Sequence, residues 1–529
     1  VTSSLGNTRT VHSVLRAQAQ RDPDGAAIWC GKSRTSFREL DERSNRVAAA
    51  LRAEGIAPGD RVAFLGKNSE QYLEMFYGCA KAGAVLLSIN IRLTPTEVRF
   101  ILQDSGSRLF VTDTWTLATA EEAAQGTEAD RIRVIDGGGE HDYAAWRDAQ
   151  SSDDVDAGMS AEDPVIQIYT SGTTGFPKGA VISHRTPLRM LDLAHQVKHQ
   201  PLRWAEGESI LCPIPNFHVG GSLFPFWVTM QGATIILMPD FTVDAVLDAL
   251  DTHSAAAFVA VPEMLQMILA HPRVREIDCS RLRYIYYGAA PITQALLKQC
   301  MDVFGCRFTQ TYGMTEHTVF FLLGPDDHGV DKAERMLSVG PRNPGIDAEV
   351  LDPDGNVLPA GTVGEICLRS PAMMLGYWRG DGTVDPAVDA DGWFHTGDAG
   401  YFDEDGYLFL KDRIKDMLIS GGENVYPAEV ERVLAEHPDV VEAAVVGLKD
   451  PKWGEVPKAY VVSRGDLDAP TLQAFAGGQL ARYKVPKQIE FIDALPRNPS
   501  GKVLRRELRE RAQHSAAQGT APRHEGDTT

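Results

Sequence analysis

Short apolar runs that do not alternate with polar residues recur through the first half of this chain. They restrict its fold more than any other feature. RVAFLG (Arg61 to Gly66), AVLLSIN (Ala84 to Asn90), RLFVTD (Arg108 to Asp113), ATIILM (Ala233 to Met238) and AFVAV (Ala257 to Val261) are such runs. A strand apolar on both faces belongs in a sheet covered on both sides, as parallel sheets are. Between these runs lie helical segments, Gln71 to Ala82, Pro95 to Gln103 and Val243 to Thr252. The repetition predicts α/β architecture, with layered, mostly parallel sheets joined by crossover helices. At 529 residues the chain is long for one core, so more than one domain is expected.

After about residue 340 the texture changes. Turns rich in Gly and Pro (GPRNPG, DPDGN, PAGTVGE) separate short strands such as EICLRS, which predicts a β-rich subdomain closing a large N-terminal domain of residues 1–412. The run DEDGYLFLKDRIKD ends it. A smaller α+β domain is expected over 417–512, with helices at 428–437 and 471–483 and strands at 442–448, 458–463 and 488–492. Residues 513–529 are polar and read as a disordered tail.

Charge narrows the partners. Lys plus Arg number 52 against 72 Asp plus Glu, a formal net of −20, which repels polyanions and argues against nucleic acid. The seven cysteines (Cys30, Cys79, Cys212, Cys279, Cys300, Cys306, Cys367) include no CxxC pair, so neither a zinc site nor a disulfide framework is expected. The first ten residues lack an apolar signal core, and the apolar stretch around 255–270 is broken by Pro262, Glu263 and Gln266. No membrane span and a cytoplasmic location are the expectations.

The most informative segment is IYTSGTTGFPKGAVISH, Ile168 to His184. Thr170, Ser171, Thr173 and Thr174 offer hydroxyls, Gly172 and Gly175 let backbone N–H groups approach a phosphate, and Lys178 adds a mobile cation. The segment follows a strand-like run, PVIQIY, as a phosphate loop should. It does not fit GxxxxGK[ST], which argues against a P-loop ATPase. A flexible linker would not sit between a buried strand and the apolar run Ala180 to Ile182.

This string resembles the AMP-binding signature of the adenylate-forming superfamily, which includes acyl- and aryl-CoA synthetases, peptide-synthetase adenylation domains and firefly-type luciferases. The resemblance runs from about Val11 to Arg511. It implies binding of ATP or AMP by Thr170, Ser171, Gly172, Thr173, Thr174, Gly175 and Lys178. In TYGMTE (Thr311 to Glu316) it implies that Tyr312 flanks adenine, Thr315 reaches the α-phosphate and Glu316 binds Mg²⁺, with Thr311, Gly313 and Met314 beside them. In YYGAAP it assigns Gly288, Ala289, Ala290 and Pro291 to the adenine pocket. Asp398 is assigned to the ribose hydroxyls and Arg413 to ribose or phosphate. Lys415 falls at the family's hinge, residues 413–416, about which the small domain rotates between half-reactions. In LISGGENVYPAEVE, Gly421 and Gly422 are expected to line the pantetheine tunnel. In PRNPSGKVLRREL, Lys502 is expected to bridge substrate carboxylate and ATP phosphates during adenylation.

The function so implied is an ATP-dependent carboxylic acid–CoA ligase. An acid and ATP give acyl-AMP and pyrophosphate, then coenzyme A takes the acyl group and AMP leaves. Lys502, Lys178, Thr315, Glu316 and His218 are the expected catalytic set. His218, Val219, Gly220, Tyr287, Gly288, Gly313 and Met314 are the expected acyl contacts. PNFHVGG carries no acid to pair an ammonium, which counts against an amino acid substrate; a fatty acid is favoured, with an aryl acid as the alternative. Trp453, Tyr483 and Lys487 are expected CoA contacts. Transfer to a carrier-protein thiol instead of CoA stays open, as does a homodimer.

Overall fold

The computed structural model describes residues 10–170, 177–197, 202–319, 321–329, 332–420, 423–497 and 503–519. The chain forms two compact units. One comprises Val1–Ala348 with Leu368–Phe394, the other Glu349–Cys367 with His395–Thr529.

The first unit holds two eight-stranded sheets. One runs in the order Phe321–Leu323, Arg307–Tyr312, Tyr284–Gly288, Ala257–Ala260, Ser209–Cys212, Thr234–Leu237, Ala26–Cys30, Ser33–Ser36. Its inner pairs are parallel and only the two edge strands run antiparallel. The other runs Val384–Asp385, Gly376–Trp378, Lys178–Ser183, Pro164–Thr170, Val85–Ser88, Arg61–Leu65, Leu109–Asp113, Ile132–Ile135. Here pairing is parallel from Pro164–Thr170 onward and antiparallel on the side that carries Lys178. All five apolar runs contribute strands to these sheets, and all four residues of Val85–Ser88 are buried.

Local chemistry sets the helix limits. Glu70–Ala82 starts where the Ser69 hydroxyl accepts the Tyr72 N–H at 3.2 Å and stops at Gly83, whose φ of 80° few side chains tolerate. Pro95–Ser105 starts at a reciprocal pair: Thr94 caps the Glu97 N–H, and Glu97 accepts the Thr94 N–H at 2.8 Å. The apolar faces of Pro95–Ser105 and Leu117–Ala124 meet the sheet through Val98, Ile101, Leu102, Ala120 and Ala123, packed with Phe110 and Leu87.

The second unit has a four-stranded sheet, Asp347–Leu351, Gly364–Arg369, Phe394–Phe402 and Leu408–Arg413 in that order. It also has a five-stranded sheet built on the long hairpin Val440–Asp450 and Gly454–Ser463. Pro427–Ala435 and Ala469–Gly477 cover one face through Val430, Val433, Leu434, Leu472 and Ala476. Leu508 and Ala512, from the helix Arg505–Gly519, cover the other. The second of these helices stops at Gly477, short of the Tyr483 expected, because the Gly477–Gly478 pair gives up helix propensity at that point. The last helix extends past Gln513, through an Ala- and Gln-rich stretch of good helix formers. No helix among the described residues is long and apolar enough to cross a membrane.

Candidate active site

In the first unit the sequence motifs meet at strand ends. Tyr284–Gly288 and Arg307–Tyr312 are parallel neighbours, and their register sets Gly288 beside Thr311. YYGAAP and TYGMTE therefore leave adjacent strands at the same carboxyl edge, where open α/β sheets bind ligands. Their glycines are required by close approach. A Cβ on Gly288 would lie 2.2 Å from the Thr311 carbonyl oxygen, and one on Gly313 would lie 1.7 Å from that of Thr318. Ala289 holds a positive φ of 65°, rare for a residue with a side chain. Ala289, Ala290 and Pro291 are exposed at this edge, while Thr311, Tyr312, Gly313, Met314 and Thr315 are half-buried. The Tyr287 ring is buried in the core, against Phe308, with its hydroxyl 2.9 Å from His328 Nε2.

Glu316 is buried, and its Oε1 accepts the Tyr377 hydroxyl at 2.6 Å. The Glu316 backbone carbonyl accepts the Met374 N–H at 2.8 Å, which fixes the same segment a second time. Tyr377 lies on a strand paired antiparallel to Lys178–Ser183, and the exposed Lys178 carries its ammonium 5.2 Å from the Tyr377 ring centroid. Lys178, Tyr377 and Glu316 thus form one row from cation to carboxylate. Thr170 and Lys178 are register partners on the paired antiparallel strands on either side of the signature segment. Ser171, Gly172, Thr173, Thr174 and Gly175 lie outside the described residues, as do Gly421, Gly422 and Lys502.

His218 ends the loop before the helix Val219–Met230 and is half-buried, its ring 4.7 Å from that of Phe217. Val219 is half-buried and Gly220 exposed beside it. The loop is pinned from below by a polar lock that no motif announces. The Asn216 N–H donates to Asn68 Oδ1 at 2.7 Å, Asn68 Nδ2 donates to the Ile214 carbonyl at 3.0 Å, and Asn216 Nδ2 reaches the Gly66 and Lys67 carbonyls. Ser222 closes the lock onto the Asn216 carbonyl, and Tyr72 donates to Ser222 at 2.8 Å. Such buried polar groups are stable only when satisfied together.

In the second unit Asp398 and Arg413 face each other on paired antiparallel strands, with Arg413 Nε 2.6 Å from Asp398 Oδ1. Asp398 is nearly buried. The neighbouring Asp412 has its carboxyl pushed above the usual range by burial, against the pull of Arg505 and of two N–H donors, Ala428 and Arg413. Lys415 is exposed in the turn Ile414–Asp416. Asp416 beside it accepts Arg509 at 2.6 Å, and Arg505 pairs with Glu431, so the last helix is tied to this turn. Trp453 is exposed in the hairpin bend, with the Lys452 and Lys487 ammoniums 4.8 and 5.4 Å from its ring centroid. It lines an open cleft of about 870 Å³ with Ile419, Lys449 and Glu455. Tyr483 is exposed too, and Lys484 near it is held by Glu429 at 2.8 Å.

Residues 15–378 match the AMP-binding enzyme family, and residues 429–502 match the AMP-binding enzyme C-terminal domain. A fatty acid–[acyl-carrier-protein] ligase, ScoC of Streptomyces coeruleorubidus, is 44% identical over 511 residues, 95% of this chain and 96% of that protein. A feruloyl-CoA synthase of an Amycolatopsis species is 38% identical over 93% of this chain and 97% of its own length. A solved Mycobacterium tuberculosis fatty acyl CoA synthetase superposes with a TM-score of 0.75 at 34% identity, covering 96% of this chain and 99% of that one.

Proposed function

This chain belongs to the AMP-binding enzyme family and is an AMP-forming acid–thiol ligase, and we propose that the acid it activates is a fatty acid. The observation that carries the proposal is the likeness, over nearly the whole chain, to a protein named as a fatty acid ligase. The surroundings of His218 agree with an apolar substrate. The helix Val219–Met230 contains no charged residue, and Phe217 lies against the imidazole.

In the first half-reaction a carboxylate oxygen attacks the α-phosphorus of ATP, and the bond to pyrophosphate breaks. Such a step asks the protein for positioning and charge compensation rather than covalent chemistry. Lys178 offers its ammonium to phosphate oxygens, held over the Tyr377 ring. Thr315 and the loop Thr170 to Gly175 offer hydroxyl and N–H donors, and Gly288 to Pro291 with Thr311 to Met314 form a flat wall for adenine. Asp398 accepts from the ribose hydroxyls; a carboxylate has acceptor positions for both Arg413 and a diol. Lys502 offsets the repulsion between carboxylate and triphosphate.

Glu316 suits Mg²⁺: a single carboxylate, fixed by one hydroxyl, leaves the cation to take its other oxygens from phosphates and water. Bound there, Mg²⁺ would neutralise triphosphate charge. In the second half-reaction a thiol sulfur attacks the acyl carbon and AMP leaves. We assign the thiol to coenzyme A. An exposed indole flanked by two ammoniums, Trp453 with Lys452 and Lys487, suits an anionic nucleotide, and Tyr483 adds a second ring.

A second acceptor, the phosphopantetheine thiol of a carrier protein, is favoured by the name of the 44% identical relative. Isolated fatty acyl-AMP offered to the enzyme with CoA or with a holo carrier protein separates the two. Acyl-CoA formation is expected. Acylation of the carrier alone would transfer the acceptor assignment and leave the fatty acid assignment intact, whereas aryl-AMP consumed faster than fatty acyl-AMP would overturn the latter.

A further inference from the structure

Outside the nucleotide and thiol sites, three side chains of different chemistry converge on one face of the four-stranded sheet. Glu365 and Cys367 stand two apart on Gly364–Arg369, so they project to the same side. His395 stands on the neighbouring strand Phe394–Phe402. His395 Nδ1 lies 2.8 Å from Glu365 Oε2 and 3.4 Å from Cys367 Sγ, and the three ligand atoms all fall within 4.8 Å of one another. We propose that Glu365, Cys367 and His395 form a binding site for a thiophilic divalent cation of the zinc class, set three residues before Asp398.

The donor set selects the cation. Thiolate and imidazole suit Zn²⁺ and its neighbours, not Mg²⁺ or Ca²⁺, which require oxygen. The spacing suits it as well. Bond lengths of about 2.3 Å to sulfur and about 2.0 Å to nitrogen, at a tetrahedral angle, set those two atoms roughly 3.5 Å apart. The observed sulfur-to-nitrogen distance is 3.4 Å. The nitrogen-to-oxygen pair, at hydrogen-bond length, needs to open by roughly half an ångström once a cation replaces the shared proton. The ligands are also held from behind. The Gly397 N–H donates to Glu365 Oε1 at 3.0 Å, which leaves Oε2 aimed at the imidazole. Thr396 ties the two strands by donating to the Ile366 carbonyl at 2.7 Å. Cys367 is fully buried and cannot be drawn into a disulfide at the surface, whereas His395 is exposed, so a cation enters from the solvent side.

Three protein ligands leave the fourth position to water. The balance is simple: the Cys367 thiol and the His395–Glu365 pair release their protons, and the cation takes their place, so affinity rises with pH. Occupancy would staple the strand that carries Asp398 to its neighbour.

The test is a titration of the full-length protein, stripped by a chelator, with Co²⁺ in excess Mg²⁺. The expected result is one equivalent bound, with a thiolate-to-cobalt absorption band that Zn²⁺ abolishes. The band should vanish in Cys367→Ser, and in His395→Gln the affinity should fall at least tenfold. His395 is exposed, so the latter variant keeps its fold and decides the matter even if Cys367→Ser does not. A wild-type protein without the band overturns the proposal. So does a band that persists in Cys367→Ser, or one with unchanged affinity in His395→Gln.

Discussion

One hydroxyl, that of Tyr377, holds the carboxylate on which the metal requirement of the proposed site rests. A hydrogen bond to a charged group contributes about 1.5–3 kcal/mol. Tyr377→Phe removes the donor to Glu316 and keeps the ring beneath Lys178. Adenylate formation should fall by about tenfold or more, with a higher Mg²⁺ requirement, as pyrophosphate exchange across a Mg²⁺ series reports; unchanged exchange would sever Glu316 from the metal. A second expectation concerns the glycines. Gly288→Ala sets a Cβ against the Thr311 carbonyl and should cost about 1–3 kcal/mol in denaturant unfolding. Gly477→Ala, with nothing within 4 Å, should leave stability unchanged or raise it. Glu316 and Asp398 are proposed from the sequence because each sits in a contiguous motif. Tyr377, 61 residues from Glu316 in sequence, and the Asn68–Asn216 lock, 148 residues apart, carry no local pattern and are visible only in three dimensions.

At the scale of elements, period and punctuation did most of the work. The strand Val85–Ser88 falls inside the apolar run Ala84 to Asn90, and the helix Pro95–Ser105 overlaps the expected segment Pro95 to Gln103. What stayed hidden is how elements are fastened. The first helix, Val11–Arg21, is joined to the end of Lys178–Ser183 through His184: the Val11 N–H donates to His184 Nδ1 at 3.2 Å, and the His12 and His184 rings meet edge to face with centroids 5.8 Å apart. Burial lowers His12 to about 4 and His184 to about 3, below an ordinary value of 6.5. The unfolded chain therefore takes up these protons first as pH falls. Stability from this source is complete above about pH 6.5 and declines on acidification, by about 2 kcal/mol per group between pH 6.5 and 5. His184→Asn, which keeps an acceptor and loses the base, should flatten the acid side of a stability–pH profile. An equally steep profile would place the acid lability elsewhere.

For the whole molecule, two half-reactions are assigned to residues dispersed over both units, with Lys502 reserved for the first. Lys502→Ala should abolish acyl-adenylate formation while thioester formation from added acyl-AMP stays within a few-fold of the parent. Equal loss in both assays would make the lysine a general phosphate ligand. The change of texture after residue 340 reads as a β-rich part of a large domain ending at 412, whereas Glu349–Cys367 and His395–Thr529 form one compact unit. The substrate was not readable, because an acyl site is written in shape and not in motif. The most direct measurement is fatty acid-dependent exchange of pyrophosphate into ATP with no thiol present. The assigned two-step chemistry predicts exchange with fatty acids, at most weak exchange with aryl acids, and none with amino acids. Turnover that releases ADP and phosphate, or that requires a thiol before any pyrophosphate exchanges, would contradict it.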